Sequence, residues 1–208
     1  METMIKNSQK WLKRSERSEE TRRRIVEAAM RLFAQHGFDR TSTATIAKEA
    51  DVSQGIIFHY FETKKKLFWT VVFEGVEEAG SRKEVLEEIA NHANPLDKLR
   101  LFGRYMAQRA EDYPELNEIL TRHVPAINID SEVEAQWLLE KPNFLEDLFE
   151  EGKAKKVFRE DLDTQIAAIT FIGLFNANYR KFKILGGKGN LQETIQKAVE
   201  MLLTGIIA

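Results

Sequence analysis

The chain has 208 residues, of which 43% are hydrophobic and 31% are charged, and this is the composition of an ordinary globular protein. It contains no cysteine, which excludes disulfide scaffolds, cysteine-ligated zinc, iron–sulfur clusters and thiol nucleophiles. No apolar run reaches the length of a membrane span, and the N-terminus lacks the apolar core of a secretory signal. We therefore expect a soluble, cytoplasmic protein.

The charge is unevenly distributed along the chain. Residues 1–70 carry a net charge of +5 and the remainder a net charge of −7, which together give the overall −2. A basic N-terminal part and an acidic C-terminal part indicate that only the N-terminal part binds a polyanion such as nucleic acid. The alternative is that the charges cluster by chance.

Nearly every segment has the periodicity of a helix, and no segment sustains the two-residue alternation of a strand. Apolar residues from Ile25 to Phe33 recur at i, i+3, i+4, i+7 and i+8, which predicts a first helix over 18–35 that ends before Gly37. Two short helices are predicted over 43–50 and 54–61. The next helix begins near residue 64, after Thr63 as its N-cap.

The remaining residues indicate a helical bundle. A long apolar helix is predicted over 163–185, and an amphipathic helix over 191–206 follows a glycine-rich loop. We expect Pro142 to begin a helix or to kink one. Helix breaks are expected at Gly80, at 93–95, at 113–114, around Pro125 and at Gly152.

The two short helices and the three-residue turn between them are typical of a helix–turn–helix. Ala47 and Ala50 provide the small surface at which two such helices cross. A helix of this size fits the major groove of DNA, where its N-terminal residues reach base edges. The alternative is a plain corner between two helices of a bundle, which gives no reason to expose the outer residues of the second helix beside a basic cluster. Those residues are Gln54, Gly55, Ile56, His59 and Tyr60.

Four segments in this region share their order and spacing with a known family. They are IVEAAMRLF at 25–33 with GF at 37–38, T-x-x-IA-x-x-A-x-VS at 43–53, and G-x-IF-x-YF-x-x-K-x-x-L at 55–67. The stretch from Ile25 to Phe68, about a fifth of the chain, resembles the DNA-binding domain of the TetR family of bacterial transcriptional regulators. A looser resemblance covers residues 151–163, where Lys156 stands at a position that is often glycine in the family.

The resemblance implies an all-α fold with an N-terminal three-helix DNA-binding domain and a C-terminal helical bundle for ligand binding and dimerisation. The expected boundaries are 1–17 for a flexible basic arm, 18–66 for the helix–turn–helix domain and 67–208 for the C-terminal domain. It further implies a homodimer that binds a pseudo-palindromic double-stranded DNA operator and responds to a small-molecule effector.

The same resemblance assigns DNA contacts to the start of each short helix. Thr43 and Ser53 would bind phosphate at helix N-termini. Gln54 would bind phosphate or a base, and Gly55 would let the backbone approach closely. Ile56 lies where the family often contacts a base, and an apolar side chain there favours a thymine methyl.

Further contacts follow from the end of the second short helix. Tyr60 and Lys64 match phosphate-contacting positions of the family, and His59 would add a phosphate or base contact. Ala44 occupies a position where some members read a base, and it offers only a methyl group. Phe58 lacks the hydroxyl that many members use to contact phosphate.

The N-terminal residues carry further positive charge. They would follow the DNA backbone or enter the minor groove, whereas the alternatives are a solvated tail or an extension of the first helix. The arginines at 22–24 would face either DNA or solvent. The cations of the arm are Lys6, Lys10, Lys13, Arg14 and Arg17.

The C-terminal helices implied by the resemblance would contain an effector pocket and a dimer interface. An aromatic bias in the pocket candidates suggests an apolar or aromatic effector, although each residue also fits an ordinary core position. The pocket candidates are Phe102, Tyr105, Met106, Trp137, Phe144, Phe171, Phe175 and Asn178. Two stripes of small and apolar residues would form the interface, or would instead face the core of the monomer. They are Ile166, Ile169, Thr170, Gly173 and Ala177, followed by Ile195, Ala198, Val199, Leu202 and Leu203.

Other chemistry has little support in the sequence. The four histidines lack the spacing of a metal site, and the glycines of 186–189 lack the spacing of a phosphate-binding loop. We expect no enzyme activity, no cofactor and no metal. The predicted function is a ligand-responsive transcriptional repressor, with activation as an option that the sequence does not separate from it. The alternative is a helical ligand- or protein-binding module that no longer reads DNA.

Overall fold

The computed structural model describes the backbone of residues 2–79, 82–124 and 132–207, and the side chains of 15–79, 84–124, 134–136 and 143–207. Within these residues the chain is helical, and an isolated antiparallel bridge joins Phe158 to Ile207. The helices are α1 Glu2–His36, α2 Thr43–Glu49, α3 Gln54–Phe61, α4 Lys64–Glu78, α5 Arg82–Ala90, α6 Pro95–Asp112, α7 Pro114–Glu118, a π-helical turn Ile119–His123, α8 Glu132–Ala154, α9 Thr164–Ile184 and α10 Leu191–Thr204.

The chain divides into two compact units. Unit 1 comprises Met1–Gly75 and Glu118–Ile127, and unit 2 comprises Val76–Asn117 and Asn128–Ala208. The division falls later than the expected boundary at residue 66, because the first part of α4 packs within unit 1. There the ring of Phe68 contacts the ring of Phe33 at 5.1 Å between centroids.

Helix α1 begins at Glu2. The expected flexible arm over 1–17 is therefore wrong in form, and the alternative of an extended first helix is correct. Residues 2–17 contain neither proline nor glycine, so no residue in the segment interrupts a helix.

The core of unit 1 is formed where α1, α2 and α3 meet. Ile25, Ile46 and Ile57 are fully buried there. The buried hydroxyl of Thr41 donates to the carbonyl of Gly37 at 2.8 Å, beside the C-terminal end of α1. Ser42 caps α2 by accepting a hydrogen bond from the backbone N–H of Thr45 at 3.0 Å.

The core of unit 2 is formed by α6, α8, α9 and α10, and its largest buried side chains are aromatic. One charged pair is packed among them, because Lys98 is only 5% exposed and its Nζ donates to Glu151 at 2.6 Å. Burial opposes ionisation of Glu151, but hydrogen bonds from Lys155 and Lys98 prevail and lower its pKa.

Helix α8 departs from the sequence prediction at two points. No new helix begins at Pro142, because α8 runs through it, and the expected kink there stays a prediction. The helix also continues past Gly152 to Ala154. Its C-terminal end forms a closed turn in which the N–H of Lys156 donates to Lys153 and the N–H of Val157 donates to Gly152. Lys156 has a φ of 56° there, in the left-handed region that favours glycine.

Candidate nucleic-acid interface

Helices α2 and α3 have the lengths and the short connection of a helix–turn–helix. Ile57 and Phe61 are the buried residues of α3. Ser53 is its N-cap, yet its side chain makes no capping hydrogen bond. The Ser53 hydroxyl, together with the free N–H groups of the first turn, therefore leaves donors for an external acceptor such as phosphate.

The outer face of α3 is exposed as expected. Gln54, Gly55 and His59 are exposed, and the side chain of Ile56 is 37% exposed. Phe58 is 45% exposed, so it contributes an apolar surface next to these residues instead of packing into the core. The exposure of the Phe58 ring was not predicted from the sequence. The signal for it was the position of Phe58 directly after Ile57, because adjacent residues of a helix point in different directions.

Gly55 has no role in packing among the residues that the structure describes. A Cβ added at Gly55 would meet only the Oγ of Ser53, at 3.9 Å. Glycine in a helix is about 0.5–1 kcal/mol less favourable than alanine. Because no neighbour in the chain requires it, the missing side chain leaves room for the backbone of α3 to approach another molecule.

Thr43 and Gln54 are brought together across the turn. The side-chain amide of Gln54 donates to the hydroxyl oxygen of Thr43 at 2.7 Å. Thr43 acts as the acceptor, so its own hydroxyl proton remains for another partner. Ala44 lies beside Thr43 on α2 and is exposed.

Tyr60 and Lys64 are both anchored to unit 1. The Tyr60 hydroxyl donates to the carbonyl of Ser18 at 3.1 Å and lies 2.7 Å from the Ser18 hydroxyl. The ammonium of Lys64 donates to the carbonyls of Phe38 and Thr41 at 2.8 and 3.1 Å. An ammonium has three protons, so one remains for phosphate, whereas the hydroxyl proton of Tyr60 is already used.

Two of the three consecutive arginines at 22–24 of α1 are engaged in ion pairs. Arg22 pairs with Glu74 of α4, and this hydrogen bond raises the pKa of Arg22. Arg23 pairs with Glu20 at 2.7 Å and with Glu27 at 3.1 Å. Arg22 is therefore held by α4, whereas Arg23 is exposed, as the alternative of a solvated face predicts.

The expected pocket residues lie mostly in the core of unit 2. Phe102 is the centre of an aromatic cluster, with centroid distances of 5.6 Å to Phe144, 5.9 Å to Phe171 and 6.2 Å to Tyr105. Met106 and Phe175 are buried in the same core, while the partly buried amide of Asn178 donates to its own helix at Leu174. The side chain of Trp137 lies outside the described residues. A pocket lined by these residues remains a prediction.

A different cavity is present at the surface of unit 2. It has a volume of about 440 Å³ and lies between Arg100, Gly103 and Arg104 of α6 and one side of α10. None of the expected pocket residues lines it.

The stripe on α9 has the exposure expected of an interface. Ile166 and Ile169 are 63% and 64% exposed, and Thr170 and Ala177 are exposed with them. Gly173 lies in the middle of this stripe, and a Cβ added there would meet no atom within 4 Å. As at Gly55, the absent side chain has no explanation inside the described part of the chain.

The stripe on α10 is only partly available. Ile195, Val199 and Leu203 are at most 1% exposed, so the expectation that they form a dimer interface is wrong. They pack against the core of unit 2, which the periodicity of one helix cannot distinguish from an outer contact. Ala198 and Leu202 are partly buried.

The described residues contain neither a candidate membrane span nor a cluster of metal ligands. No helix there has the length and apolar character needed to cross a membrane. No group of three or more histidine, aspartate or glutamate side chains there is arranged to hold a metal ion.

Comparison with known proteins places this interface in a family. The model of the bacterial regulatory proteins of the tetR family matches residues 25–70. The chain is 24% identical over 184 residues to the fatty acid metabolism regulator protein of Bacillus subtilis, covering 88% of this chain and 93% of that protein. It is 25% identical over 197 residues to the transcriptional regulator AcrR of Shigella flexneri, covering 92% and 91% of the two chains.

Solved structures share the fold. The transcriptional regulator FadR from Bacillus subtilis, in complex with stearoyl-CoA, superimposes with a TM-score of 0.75 at 23% identity over 88% of this chain and 98% of that one. The ketosteroid regulator KstR2 of Mycobacterium tuberculosis gives a TM-score of 0.72 at 20% identity over 89% and 95%. The match at 25–70 identifies a DNA-binding domain of the tetR family, and the regulators that resemble nearly the whole chain support membership of this protein in the TetR family of transcriptional regulators.

Proposed function

We propose that this regulator is a repressor that binds a pseudo-palindromic operator as a homodimer and is released by a small, apolar effector. The observation that carries the proposal is the outer face of α3. It combines an exposed, glycine-containing helix N-terminus with exposed apolar and polar side chains, and no packing contact among the described residues accounts for the glycine.

Each protomer would insert α3 into a major groove. Ser53 and Thr43 would bind phosphate, and Gln54 would be held by Thr43 for a phosphate or base contact. Ile56 and Phe58 would contact thymine methyl groups, because apolar side chains cannot hydrogen-bond to a base edge. We expect His59 and Lys64 to add phosphate contacts, and Tyr60 to fix the position of α3 against α1.

The proposed dimer interface centres on Gly173 of α9. Two copies of this helix would approach closely there, flanked by Ile166 and Ile169. Helix α10 would contribute Ala198, Leu202 and Met201, which is 72% exposed. A dimer places two recognition helices on successive half-sites, about 34–36 Å apart, as binding to a palindrome requires.

For the effector, we propose a molecule with a long acyl chain. Support comes from the aromatic cluster around Phe102 and from the stearoyl-CoA that is bound to the regulator FadR from Bacillus subtilis. Helix α4 is shared by the two units, and this makes it the segment through which we expect effector binding to alter DNA binding. Release requires that the effector binds the two states with different affinity.

The second candidate function is a binding module that no longer reads DNA. The absence of a hydroxyl at Phe58 is the observation that favours it. The exposure of the Phe58 ring argues against it, because a helix that had lost its DNA contact has no need to keep a large apolar side chain in solvent.

The test is a selection of sheared genomic duplexes on the purified protein at about physiological ionic strength, where non-specific binding is weak. Recovery of one recurring inverted repeat is the expected result. Titration of stearoyl-CoA into the protein–operator complex then tests release. Recovery of nothing above background, also after unfolding and refolding to remove a co-purified ligand, would favour the binding module.

A further inference from the structure

The N-terminal half of α1 has an uneven distribution of charge around the helix. Between residues 6 and 17 the chain has five cations and one acid, Glu16. The cations occur at i, i+4, i+7, i+8 and i+11, which places these positions within about 100° of one another around a helix. They are Lys6, Lys10, Lys13, Arg14 and Arg17.

Because the segment is helical, this spacing places the five cations in one stripe along the helix. Helix α1 is continuous from Glu2 to His36, so the register of residues 2–17 is fixed to that of the folded part of unit 1. A flexible arm would carry its charges in every direction, whereas a helix carries them as a stripe. The stripe from Lys6 to Arg17 is about 17 Å long, the axial length of about five phosphates of one DNA strand.

The helix leaves the folded part of unit 1 beside the recognition helix. Ser18 is hydrogen-bonded through both its hydroxyl and its carbonyl to Tyr60 near the end of α3. Arg22, one turn further on, lies with its guanidinium 5.6 Å from the centre of the Phe61 ring. Residues 2–17 therefore continue for about 24 Å from a point next to α3.

We propose that the first half of α1 is a rigid basic arm that binds the phosphate backbone of DNA outside the segment contacted by α3. This inference rests on the proposed function, because it requires that α3 docks on DNA. It extends the DNA-binding surface of each protomer by up to five phosphate contacts. It adds affinity and salt dependence without adding sequence specificity.

The apolar positions of the same segment, Met4, Ile5, Trp11 and Leu12, lie about 110–150° from the middle of this stripe around the helix. A helix with a basic side and an apolar side also fits an anionic membrane surface. The position beside α3 favours DNA, because the base of the arm is fixed to the helix that reads DNA. Binding to anionic vesicles is therefore one of the outcomes to be measured.

The first experiment measures how the affinity for DNA depends on salt. The probe is a labelled duplex of about 30 base pairs, titrated with the full-length protein between about 50 and 200 mM salt. Replacing Lys6, Lys10 and Lys13 with glutamine should make the plot of log affinity against log salt shallower by about 2.7 for each bound protomer. The matched control replaces Lys181, Lys183 and Lys188, three exposed cations of unit 2, and should leave the slope unchanged.

The second experiment tests whether the arm acts as a helix. Two alanines inserted between Ser15 and Glu16 turn the stripe by about 200° and lengthen the helix by about 3 Å. Four alanines turn it by about 400° and nearly restore its direction. We expect the two-residue insertion to lower the salt slope as the glutamine variant does, and the four-residue insertion to recover most of it.

The alternative results separate the two proposals. An unchanged slope in the glutamine variant overturns the arm while leaving the repressor proposal intact. A shallow slope in that variant, with no effect of either insertion, overturns the rigid helix in favour of a flexible tether. If the glutamine variant no longer sediments with vesicles containing phosphatidylglycerol, while its salt slope for DNA binding is unchanged, the stripe binds a membrane and not DNA. If the wild-type protein binds no duplex at any salt concentration, both proposals fail together.

Discussion

Gly152 in α8 and Gly173 in α9 are both helical glycines of unit 2, but one faces the interior and the other faces open space. A Cβ at Gly152 would lie 2.0 Å from a ring carbon of Phe158. A Cβ at Gly173 would have no neighbour within 4 Å. Each glycine makes its helix about 0.5–1 kcal/mol less stable than alanine would.

The contrast shows where the reason for each glycine lies. At Gly152 it lies inside the chain, because the ring of Phe158 occupies the space of a side chain. Gly103 belongs to the same class, with Val199 3.0 Å from the added Cβ. Gly173 and Gly55 form the other class. We infer that their reasons lie in a second protomer and in DNA, the two partners of the proposed function.

The largest effect is expected from Gly173→Leu. A Cβ at this position meets none of the described residues of the same protomer, so the folded protomer should remain intact. In the dimer each protomer contributes one leucine to the same close contact. At about 1–3 kcal/mol for each overpacked site, the dissociation constant of the dimer should rise by at least about 30-fold. Analytical ultracentrifugation measures this constant.

A leucine on another exposed surface controls for the added hydrophobicity. Gln196→Leu places it on α10, on the side of the surface cavity beside α6. This variant should dimerise like the wild type. If both leucine variants dimerise normally, α9 is not the interface, and the open space at Gly173 has another cause.

Gly152→Ala should lower the stability of the protomer and leave dimerisation unaffected, the reverse of Gly173→Leu. Its methyl group collides with the buried ring of Phe158, so the free energy of unfolding should fall by about 1–3 kcal/mol. The dissociation constant of the dimer should be unchanged once it is calculated from the concentration of folded protein. Gly103→Ala is the graded control, since its contact with Val199 is longer and the loss should be smaller. Urea unfolding of both variants checks that Gly152→Ala loses more stability than Gly103→Ala. Equal stability of the wild type and Gly152→Ala would contradict the explanation that Gly152 is required by the ring of Phe158.

Gly55→Ala tests the other outer glycine. The free protein should be as stable as the wild type or slightly more stable, because alanine favours the helix and meets only Ser53. Operator affinity should fall by about tenfold if the DNA approaches the backbone of α3 closely. Titration of the recovered operator, with the unfolding midpoint measured in parallel, separates the two effects. A variant with unchanged operator affinity would remove Gly55 from the interface.

Local signals in the sequence were sufficient for much of unit 1. Helix α3 begins and ends where predicted, and α2 does so within one residue, because turn residues and short apolar stripes determine these bounds. Exposure of Ile56 and His59 follows from the same stripe. The hydrogen bond between Ser18 and Tyr60 joins residues 42 positions apart, and no local pattern indicates it.

Unit 2 shows the limit of periodicity more clearly. The apolar stripe of α10 was predicted correctly as a stripe, but its residues Ile195 and Val199 face the core and not an outer partner. A stripe identifies a buried side and does not identify what buries it. Likewise, the π-helical turn Ile119–His123 belongs to unit 1 although it follows α6 and α7 in the chain, because the ring of His123 packs against Gly37.

The smallest effect is expected at Lys156. There glycine is favoured by the backbone conformation, whereas at Gly152 it is required because a side chain would collide with a neighbour. Lys156 has a φ of 56° in the turn that ends α8, where the looser family resemblance has a glycine. A non-glycine residue in this conformation is strained by about 1–2 kcal/mol, and part of the gain on removal is offset by the freedom of glycine in the unfolded chain. Lys156→Gly should therefore raise the free energy of unfolding by about 0.5–1 kcal/mol, in contrast to Gly152→Ala four residues earlier. Ala154→Gly, in the last helical position, should lower it by a similar amount. Urea unfolding of the pair decides the matter, because a loss of stability in both variants would mean that the turn does not favour glycine at position 156.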